Sequence, residues 1–151
     1  MPPSLDFVME LSVSVGQSQI VGETSRGLRR IVPILGGRFS GPRLAGTVLP
    51  GGADWQLIRS DGVAEIEARY VIQAEDGALI SVVNAGYRHG PADVMARLAA
   101  GQPVDPSRYY FRTVPQFETA SARHAWLGRT VHVGVGERHP DLVRIAVFAV
   151  G

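Results

Sequence analysis

An antiparallel all-β barrel of eight to nine strands, carrying one short helix, is the fold this sequence predicts. Three observations lead there. Apolar and polar residues alternate with a period of two from one end of the chain to the other, the spacing at which a strand buries one face. Glycine-rich turns break the alternation repeatedly. Glycines also fall inside the strands, at Gly86, Gly134 and Gly136, where they relieve crowding in sharply coiled strands and so favour a barrel over a sandwich.

Taken in order, Leu5, Phe7, Met9, Leu11, Val13 and Val15 alternate with mainly polar neighbours and define a long opening strand with one buried face. Residues 16–22 read as a turn or irregular stretch. A second strand covers 28–35, with Pro33 marking an edge or bulge because proline has no N–H for a ladder. Beyond the stretch 36–42 come strands at 44–49 and, past Pro50-Gly51-Gly52, at 55–59. Ser60-Asp61-Gly62 is a tight turn into 64–73, and Glu75-Asp76-Gly77 joins that strand to 78–88 as a hairpin. The helix covers 91–101: proline opens it, helix formers fill it and glycine follows it. Val94, Met95 and Leu98 give it a short apolar stripe suited to the mouth or side of a barrel. Strands at 109–118, 130–137 and 142–150 complete the chain, with a short helical turn between 119 and 128.

At 151 residues, 45% hydrophobic and 19% charged, the chain has material for one full-sized core and a single domain, residues 1–151. The net charge of +1 gives no electrostatic footprint for DNA or RNA. All fifteen basic residues are arginine. A lysine Schiff base or lysine general base is therefore excluded, and the cations present are planar forks suited to carboxylates or phosphates. The absence of cysteine excludes disulfides, thiol nucleophiles, iron–sulfur clusters and cysteine zinc sites. His89, His124, His132 and His139 share no compact ligand spacing, so no metal is expected. Neither a Gly-x-Ser-x-Gly elbow nor a phosphate-cradling glycine loop is present. No apolar run approaches the ~18 residues of a membrane span, and Met1-Pro2-Pro3-Ser4 lacks the features of a signal peptide. A cytoplasmic location follows as the expectation.

A strand that lines a pocket carries polar residues on an otherwise apolar face. On 78–88, the face of Ile80, Val82 and Gly86 also holds Asn84 and Arg88. On 109–118, Tyr110 and Val114 share a face with Arg112, Gln116 and Glu118, while Tyr109, Phe111 and Phe117 face the other way. One reading gathers Asn84, Arg88, Tyr110, Arg112 and Glu118 around a cavity. Arginine would grip an anionic oxygen, tyrosine and asparagine would orient the ligand, and Glu118 would serve as acid or base once burial raises its pKa. The other reading turns these faces to solvent, with Arg112 and Glu118 as ordinary cross-strand charges. Alternation alone leaves both open, and a bulge at Pro115 would separate Glu118 from the face of Arg112.

Four stretches taken together resemble a known family. They are Pro33-Ile34-Leu35-Gly36-Gly37-Arg38-Phe39-Ser40-Gly41-Pro42, Val48-Leu49-Pro50-Gly51-Gly52-Ala53-Asp54-Trp55-Gln56, Ala68-Arg69-Tyr70 with Asp76-Gly77-Ala78 and Asn84, and Tyr109-Tyr110-Phe111-Arg112-Thr113-Val114-Pro115-Gln116-Phe117-Glu118-Thr119. Over nearly its whole length the sequence resembles the DUF3237 family, also called UPF0311. The resemblance implies a lipocalin-like barrel and no shared activity. The family's characteristic polar positions fall here on Asp54, Trp55, Gln56, Asp61, Arg69, Tyr70, Asn84, Arg88, Tyr110, Arg112 and Glu118. They include every residue chosen from the strand faces, which favours the pocket. Asp61 also suits a plain turn, and Trp55 a core or barrel-plug position.

The expectation is a small-molecule pocket protein: an enzyme that needs no cofactor and moves protons on a hydrophobic, oxygenated substrate by isomerisation, cyclisation, or hydration and dehydration. Glu118, Asp54 or Asp61 supplies the acid or base. Arg69, Arg88 and Arg112 steady an enolate or carboxylate, and Tyr110, Asn84 and Gln56 orient it, with Trp55 and Tyr70 alongside. The alternatives are a carrier of a small hydrophobic anion and a structural, oligomer-forming domain with a filled barrel. The expected partner is a ligand inside the barrel, with neither nucleic acid nor membrane; a homo-oligomer is compatible with the sequence.

Overall fold

The computed structural model describes all 151 residues. Ten strands are formed: β1 (Leu5–Val15), β2 (Gln19–Thr24), β3 (Gly27–Ser40), β4 (Ala45–Val48), β5 (Ala53–Ile58), β6 (Ala64–Ala74), β7 (Leu79–His89), β8 (Tyr110–Thr119), β9 (His132–Arg138) and β10 (Leu142–Val150). Helix α1 (Ala92–Ala99) stands between β7 and β8. Every pairing is antiparallel, and β1 bonds to both β3 and β10, so the sheet closes on itself. Two staves are broken. β1 and β2 both run along β3, and β4 and β5 both lie between β3 and β6. The ten strands thus build eight staves, each bonded to those before and after it in the chain: a closed up-and-down barrel.

Some elements depart from the sequence reading for identifiable reasons. β2 occupies the stretch read as irregular, and its residues are exposed on both faces, so it has no buried row to announce it. β3 continues through Gly36-Gly37 as one strand of 14 residues. Both glycines have φ of +144°, and a Cβ on Gly37 would strike the Ser12 carbonyl oxygen of β1; only glycine permits this approach. β1 carries a bulge between Phe7 and Met9, which turns Leu5 and Phe7 outward while Met9, Leu11 and Val13 point inward. β8 has no bulge at Pro115, which pairs with Asn84 in unbroken register.

The interior divides into two halves. In the closed half Met9, Phe39, Ile72, Ile80, Phe117 and Val147 fill the barrel, and a short 3-10 turn, Ala125–Arg129, adds Leu127. Each such side chain contributes about 1.5–3 kcal/mol through burial. On β9 a Cβ at Gly134 or Gly136 would strike the side chains of Thr113 or Phe111, so β8's inward residues lie across bare β9 backbone. The β8–β9 seam is the narrowest in the barrel, with two residue pairs, Arg112↔Val135 and Thr113↔Gly134. At its end the Arg138 backbone N–H donates to the Tyr109 hydroxyl at 2.8 Å. The open half faces α1, whose Val94 and Leu98 are buried. No helix is long and apolar enough to cross a membrane.

Candidate functional site

The inward row of β7 passes from apolar to polar along its length. Ile80 and Val82 belong to the closed half; Asn84 and Arg88, both buried, carry the row to the open end. β5 sends in Asp54 and Gln56, two residues apart, and β6 sends in Tyr70. β3 adds Arg30 on the row of Val32 and Ile34, and β9 ends with Arg138. Between them lie a narrow inner chamber of about 40 Å³, bounded by Asp54, Tyr70, Asn84 and Phe111, and a wider one of about 210 Å³ at the mouth. Leu28, Ile58 and the Met95 and Leu98 side chains of α1 wall the wider chamber. Gln56, Arg88 and Arg138 border both chambers and divide them.

A chain of hydrogen bonds fixes the acid. Arg30 Nε donates to Gln56 Oε1 at 2.7 Å, and Gln56 Nε2 donates to Asp54 Oδ2 at 2.7 Å. A guanidinium can only donate, so it sets which way the Gln56 amide faces. The Glu67 backbone N–H holds Asp54 Oδ1 at 3.0 Å. Burial pushes the Asp54 carboxyl above the usual carboxylate range, outweighing these bonds and the pull of Arg88 and Arg30. Burial likewise raises the Tyr70 phenol, helped by Asp54.

The cations answer to the same low-dielectric setting. Arg88 is 3% exposed, its Nε makes no hydrogen bond, and its guanidinium sits 5.3 Å from the centre of the Phe111 ring. Burial, then the neighbouring charge of Arg30, pulls its pKa down to about 10. Arg30 and Arg138 are lowered too, chiefly by burial. Asn84 Oδ1 is also buried without a partner. The arrangement pairs a carboxyl inclined to hold a proton with a guanidinium free to bind a negative oxygen.

The residues singled out from sequence divide between two sides of the wall. Asp54, Gln56, Tyr70, Asn84 and Arg88 meet inside. Trp55, Asp61, Arg69, Tyr110, Arg112 and Glu118 are outside, so none can touch a ligand held in the barrel. Arg112 and Glu118 do share a face, but it is the solvent face: β8 turns Phe111, Thr113, Pro115 and Phe117 inward because that row is the more apolar. Asp61 closes its turn by accepting from the Val63 N–H and pairing with Arg59. Arg69 pairs with Glu67 on the surface. Trp55, 47% exposed, is neither core nor plug; with Tyr87, Tyr110, Arg112 and Arg29 it lines a broad groove of about 800 Å³ on the outer wall. Arg30 and Arg138 join the site without standing out in the sequence, although Arg30 shares the parity of Val32 and Ile34, and Arg138 that of Gly134 and Gly136. No cluster of three or more His, Cys, Asp or Glu side chains is placed to hold a metal.

The model of a family described as "Protein of unknown function (DUF3237)" matches residues 3–150. The chain belongs to the DUF3237 family. A UPF0311 protein of Rhodopseudomonas palustris (strain TIE-1) is 43% identical over 152 residues, covering 99% of each chain. The crystal structure of a conserved protein of unknown function from Rhodopseudomonas palustris matches this DUF3237 barrel with a TM-score of 0.96 at 40% identity, over 100% of this chain and 99% of that one. A hydroalkoxylation enzyme of Penicillium herquei is 31% identical over 84 residues, 56% of each chain.

Proposed function

We propose that this DUF3237 protein is an enzyme whose open-end cavity transfers protons on a small, oxygenated, largely apolar substrate. Asp54 is the acid–base group, and Arg88 steadies the negative oxygen that develops. One observation carries the reading: a carboxyl with raised pKa, oriented by Gln56 and the Glu67 N–H, shares a buried cavity with the unpartnered Arg88. A carboxyl tuned toward neutrality is suited to accept and return a proton, and a pre-placed cation in a dry site costs no reorganisation when charge appears.

The partial likeness to a hydroalkoxylation enzyme supports the addition of O–H across a carbon–carbon double bond as the reaction class. Asp54 takes the hydroxyl proton while that oxygen bonds to the alkene carbon. The π electrons move onto a conjugated carbonyl oxygen facing Arg88, and their return collects the proton from Asp54 on carbon. Asn84 lines the inner chamber, and its buried, unpartnered Oδ1 is the acceptor for a substrate hydroxyl. Addition of water, or the reverse elimination, uses the same groups. Intramolecular addition gives an isomer of the substrate, so mass alone would miss it.

The test is incubation in deuterium oxide with substrates that carry a hydroxyl and a conjugated alkene, followed by chromatography and mass spectrometry. The expected product is an isomer with one deuterium on carbon, and Asp54→Asn should lower its rate by about 10²–10⁴. Undiminished turnover in Asp54→Asn overturns the assignment. Binding without turnover across the series would support a carrier instead.

A further inference from the structure

We propose further that the cavity selects its substrate as an anion: an ionised carboxylic acid whose carboxylate lies against Arg88, between Arg30 and Arg138, with its apolar body under Met95 and Leu98 of α1. The proposal rests on the cavity assigned above and names the charge state and orientation of what enters it. Three guanidiniums act there against Asp54 and, beside Arg138 alone, Asp141, so the site is net positive even with both carboxylates ionised. Uncompensated buried charge opposes folding, and an anion offsets it where a neutral ligand does not.

The hydrogen bonds indicate which cation is available. Arg30 is engaged with Gln56, and Arg138 donates from Nη1 to the His139 carbonyl oxygen at 2.9 Å. Arg88 Nε, buried at the boundary of both chambers, has no partner. Unpaired buried donors are rare in native proteins, and a guanidinium edge matches the two oxygens of a carboxylate. The rest of the wider chamber is largely apolar, with Leu28, Ile58, Met95 and Leu98, and its 210 Å³ suits a single ring with a short tail. A cation would be repelled by the same three arginines. An apolar acid satisfies both parts of the site.

Calorimetric titration of the full chain with trans-cinnamate and with trans-cinnamamide tests this, because the two differ in charge and little else. Wild type is expected to bind the anion roughly ten-fold more tightly than the amide. Arg88→Met should bring the two affinities within about two-fold of each other by weakening the anion alone, and Arg112→Ala, in the outer groove, should leave the preference intact. With no ligand present, Arg88→Met should also melt higher than wild type, since it removes a buried charge. If Arg88→Met does not fold, Arg138→Met takes its place and is expected to lower the preference several-fold. Equal binding of anion and amide by wild type overturns the proposal. So does no measurable cinnamate binding up to ~10 mM, or a preference lost in Arg112→Ala and kept in Arg88→Met. Should the preference be missing while Asp54→Asn still abolishes deuterium incorporation into a neutral substrate, the charge proposal falls and the acid–base assignment stands. A preference that persists alongside unchanged Asp54→Asn turnover has the reverse meaning.

Discussion

Burial acts with opposite sign on Asp54 and on His132. Asp54 holds its proton more tightly in the fold than in the unfolded chain, because burial penalises the carboxylate. Stability is therefore lost as pH climbs from the ordinary carboxylate value through the raised one, and above that window the buried group is a standing cost. Asp54→Asn is expected to melt higher than wild type at pH 7, with the gap closing in acid; a variant that melts lower at pH 7 contradicts this. His132, at 1% exposure, meets the Phe117 ring edge-on at 5.1 Å. Burial lowers its pKa, so the unfolded chain takes up the proton more readily. Its contribution is complete above the ordinary histidine value of ~6.5 and is lost as pH falls below it. Urea unfolding at stepped pH should show His132→Leu losing less stability than wild type in that acid window. Parallel curves would place the acid sensitivity elsewhere.

At the scale of the strand, Gly37 shows how one position shapes an element. Its φ of +144° and its approach to Ser12 leave no place for a side chain. Gly37→Ala should destabilise the barrel by at least ~1–3 kcal/mol, the usual cost of such strain, in equilibrium unfolding. β7 and β8 show what alternation can and cannot reveal. On β7 the polar Asn84 and Arg88 sit on the row that holds Ile80 and Val82, so the sequence itself marked them as unusual interior groups. On β8 both rows carry aromatics, Tyr110 on one and Phe111 and Phe117 on the other. A period of two tells which residues share a face; with both faces partly apolar it does not tell which face is inside, and so alternation alone cannot keep Arg112 and Glu118 out of the pocket. β2 has no buried row at all. The bulge in β1 hides behind an alternation that Leu5 and Phe7 continue even after they have turned outward.

Across the whole molecule, the two halves of the barrel divide the labour. The closed half holds the fully buried Met9, Ile72, Ile80, Val82 and Val147, and the open half holds Asp54 and three arginines whose burial opposes folding. A site that strains the fold is tolerated because it stands on a well-packed base. The ring itself is uneven: β7 and β8 are joined over ten residue pairs, β8 and β9 over two. Amide hydrogen exchange should therefore be fastest, among the strands of the ring, on the parts of β8 and β9 beyond Arg112↔Val135 and Thr113↔Gly134; uniform protection around the ring would count against this. Parting at that seam would turn a cylinder without edges into a curled ribbon. Its two free margins, β8 and β9, are already complementary to each other. Two such ribbons could then zip margin to margin, β8 of one against β9 of the other, so that mild heating would yield strand-exchanged pairs before it yielded disorder.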